Sequence, residues 1–258
     1  MVDKYKQEPA SNEATIPAHR GLYLLPNAFT TGALFAGFYS IIATIGERYV
    51  TAAVAVVIAG VLDGLDGRIA RATGAQSEFG TQYDSMADLV SFGLAPALLV
   101  YHWSLIHMAD YGRISGKLGW LAAFIYCACS AMRLARFNAQ VKVIGKQYFQ
   151  GLASPAAAGL LVSFVWFAEQ QGWDAQYLAW PLAALTALLG ILMFSNLRYY
   201  SFKTMPLTEQ RPLMWAIILL GVFVLLALDT ALALLLIGIV YVCSGVVYTW
   251  RGKRRRDE

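Results

Sequence analysis

Long apolar runs constrain this chain more than any other feature. Eight runs of roughly 20 residues are long enough to cross a hydrocarbon core of about 30 Å as helices. They lie at about 27–45, 49–71, 82–106, 117–137, 152–170, 177–197, 212–228 and 230–250. Only 14% of the 258 residues are charged, against about 25% in soluble domains. The sequence therefore predicts an all-α fold, a polytopic membrane helical bundle with about eight transmembrane helices.

The basic residues predict the orientation of the bundle. Eight spans put both termini on one side, and of the 20 lysines and arginines only Arg48, Arg113 and Lys117 fall on the other side. The positive-inside rule then predicts cytoplasmic termini and an integral protein of the cytoplasmic (inner) membrane. The polar first twenty residues contain no apolar core of a signal peptide. Because the basic residues cluster between spans, they indicate contact with anionic membrane lipid and no nucleic acid.

Four aspartates interrupt the apolar pattern within VLDGLDGRIARATGAQSEFGTQYDSMADLVSFG, residues 61–93. At about 100° per residue, Asp63 and Asp66 share one face of a helix, together with the small residue Gly67. Asp84 and Asp88 are spaced i and i+4 and share a face of the next span. The spacing predicts that two helices bring four carboxylates together near the cytoplasmic membrane surface.

Four carboxylates in a medium of reduced dielectric repel one another unless protons or cations neutralise them. Oxygen-only ligands favour magnesium, manganese or calcium over zinc, and four carboxylates are enough to hold two such ions. Paired ions suit a phosphate substrate, because they bridge its oxygens and offset the charge of a leaving phosphate. The alternative is that these aspartates are ordinary interfacial charges at helix ends. Ionisable groups inside a membrane are costly, which favours the functional interpretation.

The same segment contains the pattern D-x-x-D-G-x-x-A-R-x8-G-x3-D-x3-D without a departure, from Asp63 to Asp88. This pattern resembles that of the CDP-alcohol phosphatidyltransferase family. The resemblance implies a metal-dependent transfer of a phosphatidyl group from a CDP-linked lipid to an alcohol, with release of CMP, and a bundle with a six-helix core plus two C-terminal helices.

The resemblance also implies a role for individual residues. The metal ligands would be Asp63, Asp66, Asp84 and Asp88. Asp88 would in addition be the catalytic general base that accepts the proton of the alcohol. The residues that bind the CDP and diphosphate groups would be Asn27, Thr30, Gly67, Arg71 and Gly80. The cofactor would be Mg²⁺ or Mn²⁺, as two ions, and the substrate would be CDP-diacylglycerol.

Two further segments bear on the acceptor alcohol. SAMRLARFN, residues 130–138, spaces Arg133 and Arg136 at i and i+3 with Asn138 beyond, and FQGLASPAAAGL, residues 149–160, contains Ser154. Both segments, with PNAFTTGAL at 26–34, are similar to the phosphatidylserine synthase branch of the family, which implies L-serine as the acceptor. That branch has proline where this chain has Ala153.

Each of these two segments also has a structural interpretation. The arginines suit positive-inside anchoring, and Ser154 suits the N-cap of a helix that has Pro155 in its first turn. Three other functions stay open at this point. The first is a sister transferase with glycerol phosphate, inositol phosphate or choline as its acceptor. The second is a cation transporter that uses the aspartates as an ion pathway. The third is a purely structural membrane protein.

The sequence predicts four regions. Residues 1–22 form a cytoplasmic N-terminal segment that suits a short interfacial helix, and residues 23–210 form the CDP-alcohol phosphatidyltransferase catalytic domain. Residues 211–250 form a C-terminal helical hairpin, and 251–258 a basic cytoplasmic tail. The family resemblance further implies a homodimer.

Overall fold

The computed structural model describes residues 24–74, 77–141, 151–195 and 212–254, and within these ranges the chain is helical with no strand. The described ranges contain nine α-helices: α1 (Leu24–Ile45), α2 (Tyr49–Thr73), α3 (Glu78–Asp88), α4 (Ala95–Trp103), α5 (Arg113–Val141), α6 (Ser154–Gln170), α7 (Ala179–Phe194), α8 (Pro212–Leu228) and α9 (Thr230–Arg254). A π-helical segment, Leu89–Leu94, joins α3 to α4, and a 3-10 helix, Leu105–Tyr111, follows α4. The predicted segment 1–22 lies outside the described residues.

The predicted apolar runs correspond to helices whose ends lie within a few residues of the predicted ones. Four of the described helical stretches are long and apolar enough to cross a membrane: Leu25–Ile45, Tyr49–Thr73, Glu78–Trp103 and Arg113–Ala139. Ala179–Phe194 and Thr230–Gly245 are apolar but shorter. At 1.5 Å per residue, a helix of 16 or 17 residues spans only about 25 Å. An all-helical membrane protein is confirmed, whereas the number of eight crossings stays a prediction.

Small residues pack the first two helices closely. Along α1 and α2 the buried positions are mainly alanines: Ala33, Ala36, Ala43, Ala52, Ala53, Ala55 and Ala59. Helices in lipid gain little from burying apolar surface, so their association depends on close van der Waals packing, which alanine and glycine permit. This packing fixes the position of the C-terminal half of α2, which carries Asp63 and Asp66.

The π-helical segment fixes the end of α3. The hydroxyl of Tyr126 on α5, which is fully buried, donates to the carbonyl oxygen of Phe92 at 3.0 Å. On the other side, the Ser91 hydroxyl donates to the Ala33 carbonyl oxygen of α1 at 3.0 Å. Gly37 permits this approach, because a Cβ there would lie 2.7 Å from the Ser91 Cα. Because π-helical turns frequently occur at functional sites, this one directly after Asp88 is a feature of the candidate site.

The segment before α6 is held against the end of α7. The Leu152 amide donates to the Leu192 carbonyl oxygen at 3.2 Å. Gly151 has a φ of 86°, and a Cβ at that position would collide with the Met193 carbonyl oxygen. Both the left-handed backbone and the close approach require glycine here. The start of α6, with Ser154, is therefore fixed relative to α7.

The last helix packs on the outside of α6. A Cβ at Gly238 would lie 3.1 to 3.3 Å from atoms of Leu160, so the backbones of α9 and α6 approach closely at this point. Ala231 and Ala233 of α9 are fully buried. The two helices α8 and α9 occupy the residues of the predicted hairpin, and α9 connects that hairpin to the rest of the bundle.

Candidate active site

Carboxylates from two helices converge at one place. Asp63 and Asp66 of α2 and Asp84 of α3 each offer one carboxylate oxygen, and these three oxygens lie within 4.8 Å of one another. Asp66 is only 5% exposed, whereas Asp63 and Asp84 are half-buried. The structure therefore brings these three side chains together on the faces that the helical spacing predicts.

Asp88 completes the group. Its carboxyl group lies at hydrogen-bonding distance from that of Asp63 and within electrostatic range of Asp84 and Asp66. We call Asp63, Asp66, Asp84 and Asp88 the aspartate cluster. Four like charges this close repel unless protons or cations lie between them, so the arrangement suits a bound cation.

Thr30 of α1 orients one member of the cluster. Its hydroxyl group lies 2.6 Å from Oδ2 of Asp66 and 3.2 Å from the Pro26 carbonyl oxygen. A hydroxyl has one proton, and the contact with Asp66 has the length of a charge-assisted O–H···O⁻ bond, so Thr30 donates to Asp66. Thr30 is itself only 4% exposed. It therefore supports the aspartate cluster directly. Its predicted role, binding of CDP and diphosphate, stays a prediction.

The other four residues predicted to bind CDP and diphosphate lie on α1, α2 and α3. Gly80 lies in the first turn of α3, where its amide donates to the Ser77 hydroxyl at 2.9 Å. A Cβ on Gly80 would lie 3.5 Å from Oδ1 of Asn27, so α1 and α3 meet here. The Arg71 guanidinium nitrogens lie 3.9 and 4.0 Å from where a Cβ of Gly67 would be. Arg71 is exposed and so is available to a phosphate group.

The predicted acceptor residues have different surroundings. Nη1 of Arg133 donates to the Ser154 hydroxyl at 2.9 Å, and its guanidinium lies within electrostatic range of Asp88. Among the described residues, the buried Nε of Arg133 has no hydrogen-bond partner. Arg133 thus lies between the start of α6 and the aspartate cluster.

The alternative prediction that Ser154 caps α6 is wrong. The N-cap is Ala153, and no side chain caps the helix there. The Ser154 hydroxyl is fully buried and instead accepts the hydrogen bond from Arg133. Ala153 has a φ of −65°, the value that proline fixes, so its backbone is the one that proline would give.

Arg136 contacts the end of α7. Its Nη1 donates to the Phe194 carbonyl oxygen at 3.1 Å, and its Nη2 to the Ser195 carbonyl oxygen at 3.4 Å. The guanidinium also lies over the Phe194 ring, 5.2 Å from its centroid. The last carbonyls of a helix lack partners within it, and a basic side chain satisfies them. The two arginines therefore have different partners: Arg133 bonds the start of α6 and Arg136 bonds the end of α7, while the two guanidinium groups lie within electrostatic range of each other.

Asn138 joins α5 to α3. Its Nδ2 donates to the Ser85 hydroxyl at 3.0 Å and to Oε1 of Gln82 at 3.3 Å. Ser85, Gln82 and Ser77 are not among the site residues that the sequence predicts. The Ser77 cap has a local signal, a serine directly before a glutamate-led helix. The Ser85 contact spans 53 residues and has no such signal.

The comparisons with known proteins agree with this geometry. A model of the CDP-alcohol phosphatidyltransferase family matches residues 23–223. The CDP-diacylglycerol–serine O-phosphatidyltransferase of Helicobacter pylori is 37% identical over 182 residues, which are 70% of this chain and 74% of the relative. The protein of that name from Mycobacterium tuberculosis is 34% identical over 185 residues, 68% of this chain and 60% of the relative.

An archaeal relative extends the comparison. The archaetidylserine synthase of Methanothermobacter thermautotrophicus is 32% identical over 177 residues, 68% of this chain and 69% of the relative. The family match covers α1 to α7 and includes the whole aspartate cluster, Arg133 and Ser154. By this match and by these identities, the chain belongs to the CDP-alcohol phosphatidyltransferase family.

Proposed function

We propose that this protein transfers the phosphatidyl group of CDP-diacylglycerol to the hydroxyl group of L-serine, giving phosphatidylserine and CMP. The observation that carries the proposal is the aspartate cluster with Arg133 within electrostatic range of Asp88. A carboxylate suited to act as base and a cation suited to bind the acceptor thus occur in the same region, in a chain whose relatives are named for transfer to serine.

The aspartate cluster has the donor set that a divalent cation requires. Three carboxylate oxygens within 4.8 Å of one another are close enough for one ion to contact them all. Oxygen ligands alone fit Mg²⁺ or Mn²⁺ and disfavour zinc. We assign Asp63, Asp66 and Asp84 as the main ligands, with Asp88 completing a site for two ions. When bound, the ions would offset the negative charge of the diphosphate and of the departing CMP.

Asp88 would act as the general base. An alcohol is a weak nucleophile near neutral pH, and a carboxylate that accepts its proton makes attack easier. The serine oxygen forms a bond to the lipid-side phosphorus as its proton passes to Asp88. The bond from that phosphorus to the oxygen bridging the two phosphates breaks, and CMP leaves with the electron pair.

Arg133 would bind the serine carboxylate. Its guanidinium lies in range of Asp88, so a serine whose carboxylate pairs with Arg133 has its hydroxyl directed toward the base. The hydrogen bond from Nη1 to Ser154 holds this side chain in place. We assign Asn138 to the support of this pocket, since it joins α5 to α3, whereas Arg136 joins α5 to the end of α7 and supports the bundle.

An apolar groove between α1 and α2 suits an acyl chain of the lipid substrate. It has a volume of about 360 Å³ and is lined by apolar side chains that include Phe35, Ala36 and Ile58. Leu62, which also lines the groove, is the residue before Asp63 on α2. A lipid with its diphosphate at the aspartates therefore has an adjoining apolar surface for one chain.

We further propose a homodimer in the cytoplasmic membrane, with both termini and the aspartate cluster at the cytoplasmic face. The orientation is supported by the basic residues, of which only three fall on the opposite side of the predicted spans: Arg48, Arg113 and Lys117. Cytoplasmic orientation gives the site access to free serine and to the CDP headgroup.

Replacement of Asp88 by asparagine tests the proposal. Purified protein in detergent, with CDP-diacylglycerol, serine and Mg²⁺ or Mn²⁺, should form phosphatidylserine that mass spectrometry detects. Asp88→Asn should abolish turnover while the protein still binds the CDP-lipid. The matched control is Asp110→Asn, because Asp110 is exposed and its carboxylate pairs with His107, outside the aspartate cluster. Retained turnover in Asp88→Asn would remove Asp88 as the base.

A sister reaction is the second candidate. Arg133 would pair equally with the phosphate of glycerol phosphate or inositol phosphate. The wild-type protein would then form no phosphatidylserine and would release CMP with one of those acceptors.

A further inference from the structure

Helix α3 carries half of the aspartate cluster, Asp84 and Asp88, and other polar side chains of this helix contact its neighbours. On one flank, the phenol oxygen of Tyr83 lies 2.9 Å from the Thr31 hydroxyl oxygen of α1. Two hydroxyl groups at this distance share one hydrogen bond. A polar contact directly beside Asp84 in sequence therefore joins α3 to α1.

On the other flank, Asn138 of α5 bonds two side chains of α3. Its Nδ2 donates to the Ser85 hydroxyl at 3.0 Å and to Oε1 of Gln82 at 3.3 Å. Gln82 and Ser85 are spaced i and i+3, so one side chain from α5 reaches both. The Ser85 hydroxyl also donates to the Thr81 carbonyl oxygen of its own helix at 3.1 Å. Its one proton is thus used within α3 while its oxygen accepts from Asn138.

The two contacts lie on either side of the face that carries the aspartates. At about 100° per residue, Tyr83 and Ser85 stand about 100° before and after Asp84 around the axis of α3. Asp88 lies about 40° from Asp84, so both carboxylates project between the two contacts. A rotation of α3 about its axis would therefore stretch these contacts.

The rotation of α3 determines the geometry of the proposed metal site, because the other two aspartates come from α2. A carboxylate about 5 Å from the helix axis moves by about 1 Å when the helix rotates by about 10°. Metal–ligand distances have a tolerance of only about 0.2 Å. A metal site shared by two helices therefore requires a fixed rotation of α3.

We infer that Tyr83 and Ser85 are positioning residues that hold α3 between α1 and α5, so that its two aspartates meet those of α2. This inference rests on the metal site of the proposed function. Neither side chain ligates an ion, and each acts through the rotation of the helix. Their loss weakens metal binding although every ligand is still present.

The test is Mn²⁺ binding to the purified protein in detergent, measured by isothermal titration calorimetry without turnover. Ser85→Ala and Tyr83→Phe should each raise the dissociation constant for Mn²⁺ about threefold to tenfold, the range expected for the loss of one uncharged hydrogen bond. Ser85→Thr keeps a hydroxyl at this position and should bind Mn²⁺ as the wild type does.

Ser244→Ala and Tyr101→Phe are the matched controls. Ser244 is exposed on α9 and donates to a carbonyl oxygen of its own helix at 2.7 Å. Tyr101 packs partly buried against the core and lies on α4. Because neither residue lies on a helix of the aspartate cluster, both variants should leave the dissociation constant for Mn²⁺ unchanged.

A double-mutant cycle separates positioning from a general loss of stability. Ser85→Ala and Asn138→Ala remove the two ends of one contact. The double variant should therefore weaken Mn²⁺ binding no more than Asn138→Ala does alone. A merely structural role would lower the thermal midpoint of the metal-free protein and leave the affinity for Mn²⁺ unchanged.

The outcomes distinguish the positioning role from the proposed function. A wild type that binds Mn²⁺, with an unchanged dissociation constant in either Ser85→Ala or Tyr83→Phe, overturns the positioning role and leaves the proposed function standing. Additive losses in the cycle also overturn it, because Ser85 and Asn138 would then act separately. A wild type that binds no Mn²⁺ refutes the metal site of the proposed function, and the inference with it.

Discussion

Thr30→Val tests how the aspartate cluster is organised. The substitution keeps the shape of the side chain and removes the hydroxyl that lies 2.6 Å from Asp66. Asp66 is 5% exposed, so water has little access to replace the lost donor. A hydrogen bond to a charged group contributes about 1.5–3 kcal/mol, which is about 10- to 150-fold in an equilibrium constant. Removing partners of metal ligands typically weakens metal affinity or activity about 10- to 100-fold.

The assay is CMP release as a function of divalent-metal concentration. For Thr30→Val we expect the half-maximal concentration to rise about 10- to 100-fold, because Asp66 is no longer oriented as a ligand. Thr44→Val is the matched control on the same helix. Thr44 is fully buried, and its hydroxyl has no hydrogen-bond partner among the described residues, so valine should leave the titration unchanged. If the titrations of the two variants coincide, Thr30 does not organise the cluster.

Three other substitutions test parts of the fold and of the substrate sites. Gly151→Ala should lower stability by more than about 1 kcal/mol, because its φ of 86° and the Met193 carbonyl exclude a Cβ. The measurement is thermal unfolding, with Gly159→Ala as the control because a Cβ there meets no atom within 4 Å. Equal thermal midpoints of the two variants would contradict the prediction. Arg136→Lys loses the forked contact with the α7 carbonyls, so it should lower the thermal midpoint and leave the serine KM within about twofold. A selective rise in the serine KM would instead indicate that Arg136 binds the acceptor. Ile58→Trp should raise the KM for long-chain but not short-chain CDP-diacylglycerol, because Ile58 is an exposed residue of the groove lining and the larger ring fills the groove; equal effects on both would exclude an acyl chain there.

The helices could be predicted because each apolar run has to satisfy its own backbone hydrogen bonds in lipid. The aspartate cluster could be predicted for a related reason. Spacings of three and four residues place side chains on one helix face, and α3 begins only five residues after the end of α2, so the two pairs are close along the chain. Both inferences use regularities that extend over a few residues.

Contacts between segments that are distant in sequence could not be predicted from such local regularities. Thr30 meets Asp66 across 36 residues, and Arg136 meets Phe194 across 58. The same limit explains the error at Ser154. Its position suits an N-cap, but the tertiary contact with Arg133 takes up the hydroxyl. The π-helical turn after Asp88 likewise depends on its packing between α1 and α5, which the local sequence does not reveal.

The most direct test of the central claim is an acceptor comparison. CMP release by the purified protein with CDP-diacylglycerol and Mg²⁺ or Mn²⁺ would be measured with serine, glycerol phosphate, inositol phosphate, inositol and choline. We predict release that depends on serine and is abolished by a chelator. Release with another acceptor and not with serine would contradict the assignment of the Arg133 pocket, and release that persists in chelator would contradict the metal role of the aspartate cluster.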